Sequence, residues 1–489
     1  MRRVLAFLGA CVLGAPSCNP ATQACDGPPL FLAGGAAVLS TSYGFAGASE
    51  QAPPDVVLYS AHAAHDGWIG IGTLTPCWPD AAITAVVRLN AAGTVDWDRT
   101  LSTNLMVPSA TRVYRWAVPF AAGFAVSQTV PRDGTDLDAT FPACQIQGVG
   151  LAGDPTWTVT AAQLGQPAEC AEPWPIRRAD VPADSAGVVA PLGFVGEEDA
   201  LEGGFAVLSP DGALVTVVRT GIPSSSVLAA WSGADATRVL VAQTTTTVIS
   251  TNCQRRTLVL AVLRYDASWQ SLGAETVGEY TVSGGDVGAT VVPASGAAGA
   301  LVRVSGFDFG ACPISGSPTT LATVLRFDAD GTLPWRLDLD SRRGDRPEAF
   351  VERADGGVTM LVRRNSPDGL ETVDVARDGT VSGSAPLDLE ALGLDGLSFA
   401  VSPGAPGTAL GSDFVVTSWG GDPRRDVWLT GLDTTGAVFQ VHKQFAQAFD
   451  QVSWQDGLVL VREPSATGTC NARPVQVTRT WQVTEQVCE

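Results

Sequence analysis

Positive charge is scarce in this chain of 489 residues. It has 30 lysines and arginines against 50 aspartates and glutamates, a net charge of −20, and Lys443 is its single lysine. The arginines are scattered along the sequence and form no basic cluster. Because proteins bind nucleic-acid backbones by neutralising phosphates with clustered basic side chains, the composition argues against a nucleic-acid partner.

Long apolar runs and helical periodicity are also missing. After the first residues, no stretch approaches the 18 or so apolar residues that a membrane-spanning helix needs. The segment 387–394 is the best candidate for a helix, and it would form one or two turns at most. What the chain does have is 53 glycines, 32 prolines and only 16% charged residues. This composition is typical of short strands joined by tight turns, so we expect an all-β protein.

Motifs of common enzyme classes are absent as well. The chain has three histidines, His62, His65 and His442. The His62–x–x–His65 spacing in a strand or turn would direct the two rings to opposite faces, and zinc would need a third ligand. No nucleophile elbow, zinc-protease motif or phosphate-binding loop occurs. The sequence therefore predicts neither a metal nor a cofactor, and it leaves open whether the protein is an enzyme.

Two acidic segments, 133–138 and 197–202, are the remaining candidates for a site. Their oxygen-rich side chains could hold calcium, but neither has the full spacing of a calcium-binding loop. Paired carboxylates could instead serve a glycosidase, although nothing in the sequence places them across a cleft. Solvated loop charge is the favoured interpretation.

A repeat is the most informative feature that is present. A glycine turn followed by an apolar strand recurs about every 46 to 64 residues, a period that indicates a propeller or array. The turns lie at Gly67, Gly123, Gly187, Gly299, Gly357 and Gly457, with degenerate copies near residues 235 and 411. Each unit can be laid out as four strands, A to D. The count predicts eight four-stranded blades. Seven blades is the alternative, in which residues 29–45 add a closing strand to an incomplete last unit.

Two segments show what closes a unit. Residues 87–97 and 325–335 run from strand C to strand D, and both contain a glycine followed four residues later by Trp97 or Trp335. These segments resemble the repeats of quinoprotein-like and bacterial surface β-propellers, in which a phrase ending in Gly and Trp closes each blade. The resemblance implies a toroid of blades around a central channel over residues 51–489. It does not imply a quinone cofactor.

The N-terminal segment reads as an export signal. Met1–Arg2–Arg3 precedes an apolar run and small residues, so residues 1–17 are predicted to be a signal peptide. Cys18 is the predicted site of lipidation, with residues 18–50 as a tether and possible closing strand. The residues before Cys11 resemble a bacterial lipobox more closely, but cleavage there leaves a very short signal. Plain secretion without a lipid is the third alternative.

The other cysteines form an even set of eight once Cys18 is set aside, as a disulfide framework in an oxidising compartment requires. Most are predicted between strands B and C or in the links from strand D to the next strand A. Both connections lie on one side of a propeller, which we call the loop face. The side with the short glycine turns is the turn face. The predicted bridges, with connectivity open, are Cys25–Cys77, Cys144–Cys170, Cys253–Cys312 and Cys470–Cys488.

Aromatic residues are predicted on the loop face, where long loops on a rigid scaffold usually bind partners. They are Trp78, Phe141, Phe194, Phe307, Phe309 and Trp419. Of these, Trp78, Phe194 and Trp419 are the predicted partner-binding residues, although the rings could instead fold back over the blades.

The sequence as a whole predicts an exported, monomeric binding or scaffold protein, tethered by lipid to the bacterial outer membrane or cell surface. It would resemble the propeller lipoproteins of the outer membrane. The expected partner is a protein, peptide or glycan, and the only membrane contact is the lipid. A secreted or periplasmic location, a propeller hydrolase or lyase acting on a polysaccharide, and a purely structural role are the alternatives.

Overall fold

The structure is a computed structural model, and it describes much of the chain but not all of it. The described residues are 30–37, 55–75, 81–104, 113–120, 122–130, 143–165, 168–170, 188–195, 201–209, 211–232, 235–250, 253–292, 294–295, 299–310, 319–339, 345–365, 368–394, 397–404, 412–420, 424–433, 436–455, 457–470 and 473–485.

Strands dominate the first half of the described chain. A first strand, β1 (Leu30–Ala37), precedes the repeats. Blade 1 consists of β2 (Asp55–Ala64), β3 (Gly67–Thr75), β4 (Ala81–Leu89) and β5 (Val95–Asn104). Blade 2 consists of β6 (Val113–Phe120), β7 (Gly123–Val130), β8 (Ala143–Gly150) and β9 (Pro155–Val159), followed by the short helix α1 (Ala161–Leu164). Blade 3 consists of β10 (Ala168–Cys170), β11 (Val188–Val195), β12 (Leu201–Leu208) and β13 (Leu214–Pro223). Blade 4 consists of β14 (Ser225–Ser232), β15 (Thr237–Ser250), β16 (Cys253–Tyr265) and β17 (Ser271–Ser283).

The second half repeats the same arrangement. Blade 5 consists of β18 (Asp286–Val292), then, after the two-residue β19 (Ala294–Ser295), β20 (Ala300–Asp308), β21 (Thr319–Phe327) and β22 (Trp335–Asp338). Blade 6 consists of β23 (Arg346–Glu352), β24 (Val358–Asn365), β25 (Asp368–Val375) and β26 (Val381–Pro386), with β19 paired in parallel beside β23. Blade 7 consists of β27 (Ser398–Pro403), β28 (Phe414–Gly420), β29 (Asp426–Asp433) and β30 (Gly436–Gln444). Blade 8 consists of β31 (Gln451–Gln455), β32 (Leu458–Cys470), β33 (Arg473–Glu485) and β1.

The eight sheets confirm the predicted fold class, an all-β propeller of eight four-stranded blades. Within each blade the strands pair antiparallel in chain order, except that blade 8 takes its outermost strand from β1. There Leu30 lies opposite Glu485 and Ala37 opposite Arg479. From blade 4 round to blade 1, the first strands of neighbouring blades (β14, β18, β23, β27, β31 and β2) contact one another, so these strands lie toward the centre of the ring.

Apolar clusters between the blades hold the ring together. Among the described residues, eight clusters of buried side chains occur, and each joins the facing sides of two neighbouring blades. The cluster between blades 8 and 1, for example, contains Leu458 and Leu460 from β32 together with Leu58 from β2. Both faces of a blade therefore lie in an apolar interface, which explains the nearly continuous apolar sequences of the central strands. The ring is closed because blade 8 packs on blade 1 as each other blade packs on the next.

A repeated contact on the turn face explains the Gly–Trp phrase. In blades 2, 3, 5 and 6 the turn from strand C to strand D has a glycine at positive φ, and this glycine packs against a tryptophan of the preceding blade. Gly153 (φ 89°) of blade 2 lies against Trp97 of blade 1, and Gly379 (φ 87°) of blade 6 lies against Trp335 of blade 5. Positive φ and the adjacent indole both exclude a side chain at these positions. The Gly–Trp phrase thus joins blades as well as closing one.

The segment predicted as the best helical candidate, 387–394, forms turns and not an α-helix. The α-helix found in the described part of the chain is α1. No helix among these residues is long and apolar enough to cross a membrane.

Candidate functional site

The structure corrects one of the three predicted partner-binding residues. Phe194 is only 2% exposed, because the register of β11 turns it into the cluster between blades 2 and 3. The guanidinium of Arg219 lies 4.8 Å from the centre of its ring. The expectation that Phe194 is available to a partner is therefore wrong. Trp419 is half-buried and packs on the cluster between blades 7 and 8, and Trp78 lies outside the described residues.

Among the other predicted aromatics, Phe307 is exposed on the loop face. It is the penultimate residue of β20, and 43% of its surface is accessible. Its ring meets that of Phe309 edge to face, with centres 5.9 Å apart. Phe141 lies outside the described residues. Phe307 is thus a predicted loop-face aromatic whose side chain is accessible to a partner.

A cavity of about 520 Å³ lies beside Phe307, between blades 5 and 6 on the loop face. This volume falls within the range of pockets that bind small ligands. Toward the turn face, the same interface is closed by Leu301 of β20 and Phe350 of β23, which are fully buried. The cavity therefore lies where the apolar packing between blades 5 and 6 ends, on the loop-face side of their interface.

The register of blade 5 explains why the interface opens here. Residues opposite each other on antiparallel strands share a face of the sheet. Three cross-strand rows line the cavity, and they are Thr290–Arg303–Val324, Gly288–Ser305–Ala322 and Asp286–Phe307–Thr320. The middle row consists of small residues only, and a Cβ added at Gly288 would meet no atom within 4 Å. The short side chains of Gly288, Ser305 and Ala322 leave empty space on the sheet between the row of Arg303 and the row of Phe307.

Charged groups line both sides of the cavity. Arg303, on the blade 5 side, forms no hydrogen bond or ion pair within 4 Å to any residue that the structure describes, and its Nε is buried. Burial lowers the pKa of the Arg303 guanidinium, attraction to Glu348 raises it, and repulsion by Arg346 lowers it again. An arginine nevertheless stays charged, so a cation with unused donors faces the cavity.

A carboxylate lies on the blade 6 side. Asp345 is 2% exposed, and its Oδ2 is paired with Arg364, which also binds Glu371. Its Oδ1 is buried and accepts no hydrogen bond from the residues that the structure describes. A buried oxygen without a donor is costly. Because the Asp345 side chain is fully buried, a ligand in the cavity does not reach it.

The mouth of the cavity is held by hydrogen bonds. The backbone N–H of Ser283 and that of Gly310 both donate to the carboxylate of Asp308, each over 2.8 Å. The N–H of Phe309 donates to the carbonyl oxygen of Ser283 over 3.1 Å. Asp286 at the rim is paired with Arg256 of the neighbouring blade 4. These bonds order the rim before any ligand arrives.

His65 and His442 lie in separate blades. His65 lies in the first turn of blade 1 with φ 55°, and its ring meets Phe124 edge to face. His442 lies in blade 7, stacked on Trp428 and 3.0 Å from an oxygen of Asp426. In the described segments, no group of three or more metal-ligating side chains occurs.

Only part of the acidic segments can be compared with the structure. Segment 133–138 and residues 197–200 lie outside the described residues. Glu202 is in β12, where it pairs with Arg219 over 3.2 Å and accepts from the N–H of Gly221. The Glu202 carboxylate thus bonds to the neighbouring strand β13 and stabilises blade 3.

Two of the cysteines have described side chains. Cys144 and Cys253 are buried at the loop-face ends of β8 and β16, and both are disulfide-bonded. The side chains of Cys18, Cys25, Cys77, Cys170, Cys312, Cys470 and Cys488 are not described, so the lipidation site and the predicted pairings stay predictions.

Sequence reasoning missed Arg303 and a third copy of the Gly–Trp phrase. That copy, Gly153 to Trp157, has the same spacing as the two that were recognised and could have been found by it. Arg303 sits in an apolar strand, and nothing in its local sequence separates it from the other arginines of central strands. Its role depends on strand register, which the sequence alone does not provide.

Comparison with known proteins yields distant likenesses only. No protein-family model matches the chain, and no curated protein matches it significantly. The solved structures that it is similar to include the polysaccharide lyase Uly1, at 11% identity over 91% of this chain and 92% of the other, with a TM-score of 0.37. They also include the β-propeller domain of the Trilobed protease from Pyrococcus furiosus, at 9% identity over 89% and 97%, with a TM-score of 0.35. A third is the acylaminoacyl peptidase of Pyrococcus horikoshii, at 11% identity over 84% and 57%, with a TM-score of 0.35. The chain's own strand order identifies it as an eight-bladed β-propeller.

Proposed function

We propose that the protein is an exported propeller, lipid-anchored at Cys18 on the bacterial cell envelope, which binds a partner through its loop face. The N-terminal sequence supports the export and the anchor, through its basic start, apolar run and small residues before Cys18. The even number of cysteines that follow supports an oxidising compartment.

The observation that carries the binding function is the cavity between blades 5 and 6. It combines an accessible volume, an exposed aromatic ring at its rim, and a rim ordered by hydrogen bonds. A pre-ordered surface binds with a smaller loss of conformational entropy than a mobile one. The turn face, in contrast, consists of short turns, and four of their described glycines, Gly153, Gly212, Gly331 and Gly379, pack against tryptophans.

A matched pair of variants tests the face assignment. Phe307 on the loop face and Leu151 in a turn of blade 2 on the turn face are 43% and 49% exposed. Each would be replaced by Ala in the mature protein, and both would be compared with the parent in capture from envelope extracts. A partner that Phe307→Ala loses and Leu151→Ala keeps supports the proposal. Equal capture by Phe307→Ala and parent, or loss with Leu151→Ala, contradicts it.

The anchor is tested separately by the intact mass of the mature protein, measured with and without reductant. An acylated chain that begins at Cys18 is expected. The mass difference on reduction should correspond to four disulfide bonds, two hydrogens each. An unmodified chain, or one that begins elsewhere, contradicts the anchor but leaves the loop-face assignment intact.

A further inference from the structure

We propose that the cavity between blades 5 and 6 binds a hydroxylated carboxylate, the chemistry of a uronic acid residue, with Arg303 holding the carboxylate and the hydroxyl groups of Ser305, Thr290 and Thr320 facing the hydroxyls of the ring. The inference rests on the proposed binding function and names the ligand chemistry for its site.

Arg303 supplies the first part of the recognition. It lines the cavity and faces blade 6. Arg303 lies two residues after Leu301 in β20, so both side chains are on the same face of the strand, and Leu301 belongs to the cluster between blades 5 and 6. No carboxylate within 4 Å neutralises it among the residues that the structure describes. Glu348, the acidic side chain that attracts it from β23, is engaged by Arg346 over 2.7 Å. A guanidinium in this state matches a ligand carboxylate, which it can bind through two parallel hydrogen bonds.

The other arginine of the cavity does not compete for the ligand's charge. Arg346 lines the blade 6 side, but its guanidinium is engaged by Glu348. A neutral sugar would leave Arg303 without a partner, so recognition at this position requires a carboxylate on the ligand.

The remaining lining is consistent with a sugar ring. Ser305, Thr290 and Thr320 place hydroxyl groups on the blade 5 wall, and Phe307 offers an exposed aromatic face at the rim. A sugar presents hydroxyls around its edge and C–H groups on its ring faces, so it can use both kinds of surface. Gly288 in the middle of the wall leaves the space that a ring would occupy.

Two variants test this with the mature protein. Arg303→Gln removes the cation at the cavity. Gly288→Val fills the hollow while keeping every charged group, and its Cβ would meet no atom within 4 Å. Arg336→Gln is the control, since Arg336 is an exposed arginine of the same blade that does not line the cavity. Each variant's unfolding midpoint would be compared with that of the parent, so that loss of fold is separated from loss of binding.

Binding would be measured by calorimetry with four probes, which are sodium glucuronate, glucose, acetate and glutamate. We expect saturable binding of glucuronate that falls at least tenfold in Arg303→Gln and in Gly288→Val and is unchanged in Arg336→Gln. Loss of one charge-assisted hydrogen bond has an effect of this order. Glucose and acetate should each bind at least tenfold more weakly than glucuronate.

Three outcomes overturn the inference. These are equal glucuronate binding by parent and Arg303→Gln, binding of glutamate at least as tight as that of glucuronate, and no binding of glucuronate at all. If any of them occurs while Phe307→Ala still loses a captured partner, the ligand assignment fails and the proposed function stands. If capture is also independent of the loop face, both fail.

Discussion

The contact between a turn glycine and the preceding blade's tryptophan makes a quantitative prediction at Gly212. This glycine has φ 87° in the turn between β12 and β13, and a Cβ built on it would overlap the indole of Trp157 in blade 2. Gly221, at the far end of β13, also has positive φ, 70°, but a Cβ there meets no atom within 4 Å. The pair Gly212→Ala and Gly221→Ala therefore shares the backbone cost and differs in the packing cost.

The magnitudes follow from these two terms. An alanine in the left-handed region costs about 1–2 kcal/mol, and this is the whole expected loss of unfolding free energy for Gly221→Ala. Gly212→Ala adds overpacking against an indole that strand β9 holds in place, which costs about 1–3 kcal/mol. We therefore expect Gly212→Ala to lower the free energy of unfolding by about 2–5 kcal/mol.

Urea unfolding monitored by tryptophan fluorescence measures both values, and a double-mutant cycle with Trp157→Ala isolates the packing term. Removal of the indole removes the overlap, so the double variant should lose less free energy than the sum of the single losses, by about 1–3 kcal/mol. Equal losses for Gly212→Ala and Gly221→Ala, or additive losses in the cycle, would refute the packing argument.

Three further predictions concern closure and electrostatics. Deletion of residues 481–489 removes Trp481 from β33 and should lower the unfolding midpoint of the whole domain; a midpoint equal to that of the parent would show that closure does not depend on this segment. Lys443→Met should lower the free energy of unfolding by about 0.5 kcal/mol, because the Lys443 ammonium lies 4.1 Å from the centre of the Trp481 ring. Burial lowers the pKa of Lys443 and offsets part of this cation–π stabilisation. An unchanged free energy of unfolding would argue against the cation–π contact. Hydrogen bonds from Thr380 hold the pKa of Asp378 below its ordinary value of 3.8, so the folded-state carboxylate adds stability above that pH and loses it as the pH falls through the lowered pKa. The unfolding midpoint of Asp378→Ala should thus lie below that of the parent at pH 7 and approach it under acid conditions, and a gap that is independent of pH contradicts this.

The fold could be predicted from the sequence because each blade repeats local signals. A turn such as the one at Gly357 needs a residue that tolerates a tight approach, and the strand that follows is buried on both faces, so both features are visible in the residues themselves. Six such turns and two degenerate copies without the glycine predict eight blades. The outer strand of blade 8 was harder to place, since β1 has no turn of this kind and its partner lies at the other end of the chain.

The candidate site could not be predicted in the same way. Phe194 lies close to a long loop in the sequence, but the alternation of β11 turns its ring into the core. The cavity arises from Gly288, Ser305 and Ala322, which are distant in sequence and become one row only through the pairing of three strands. Residue types favour the loop face as the binding face, whereas the position of the cavity depends on register.

The pairing of β1 with β33 has a consequence for how the protein is made. Leu30 emerges from the ribosome long before Glu485, so one edge of blade 8 exists long before its partner. Until β31 and β32 have emerged, the blades can form only an open arc, whose two ends expose apolar surfaces such as those of Leu58 and Val427. Chains that stop short of residue 451 would keep both surfaces exposed and should be recognised by chaperones and proteases as unfinished.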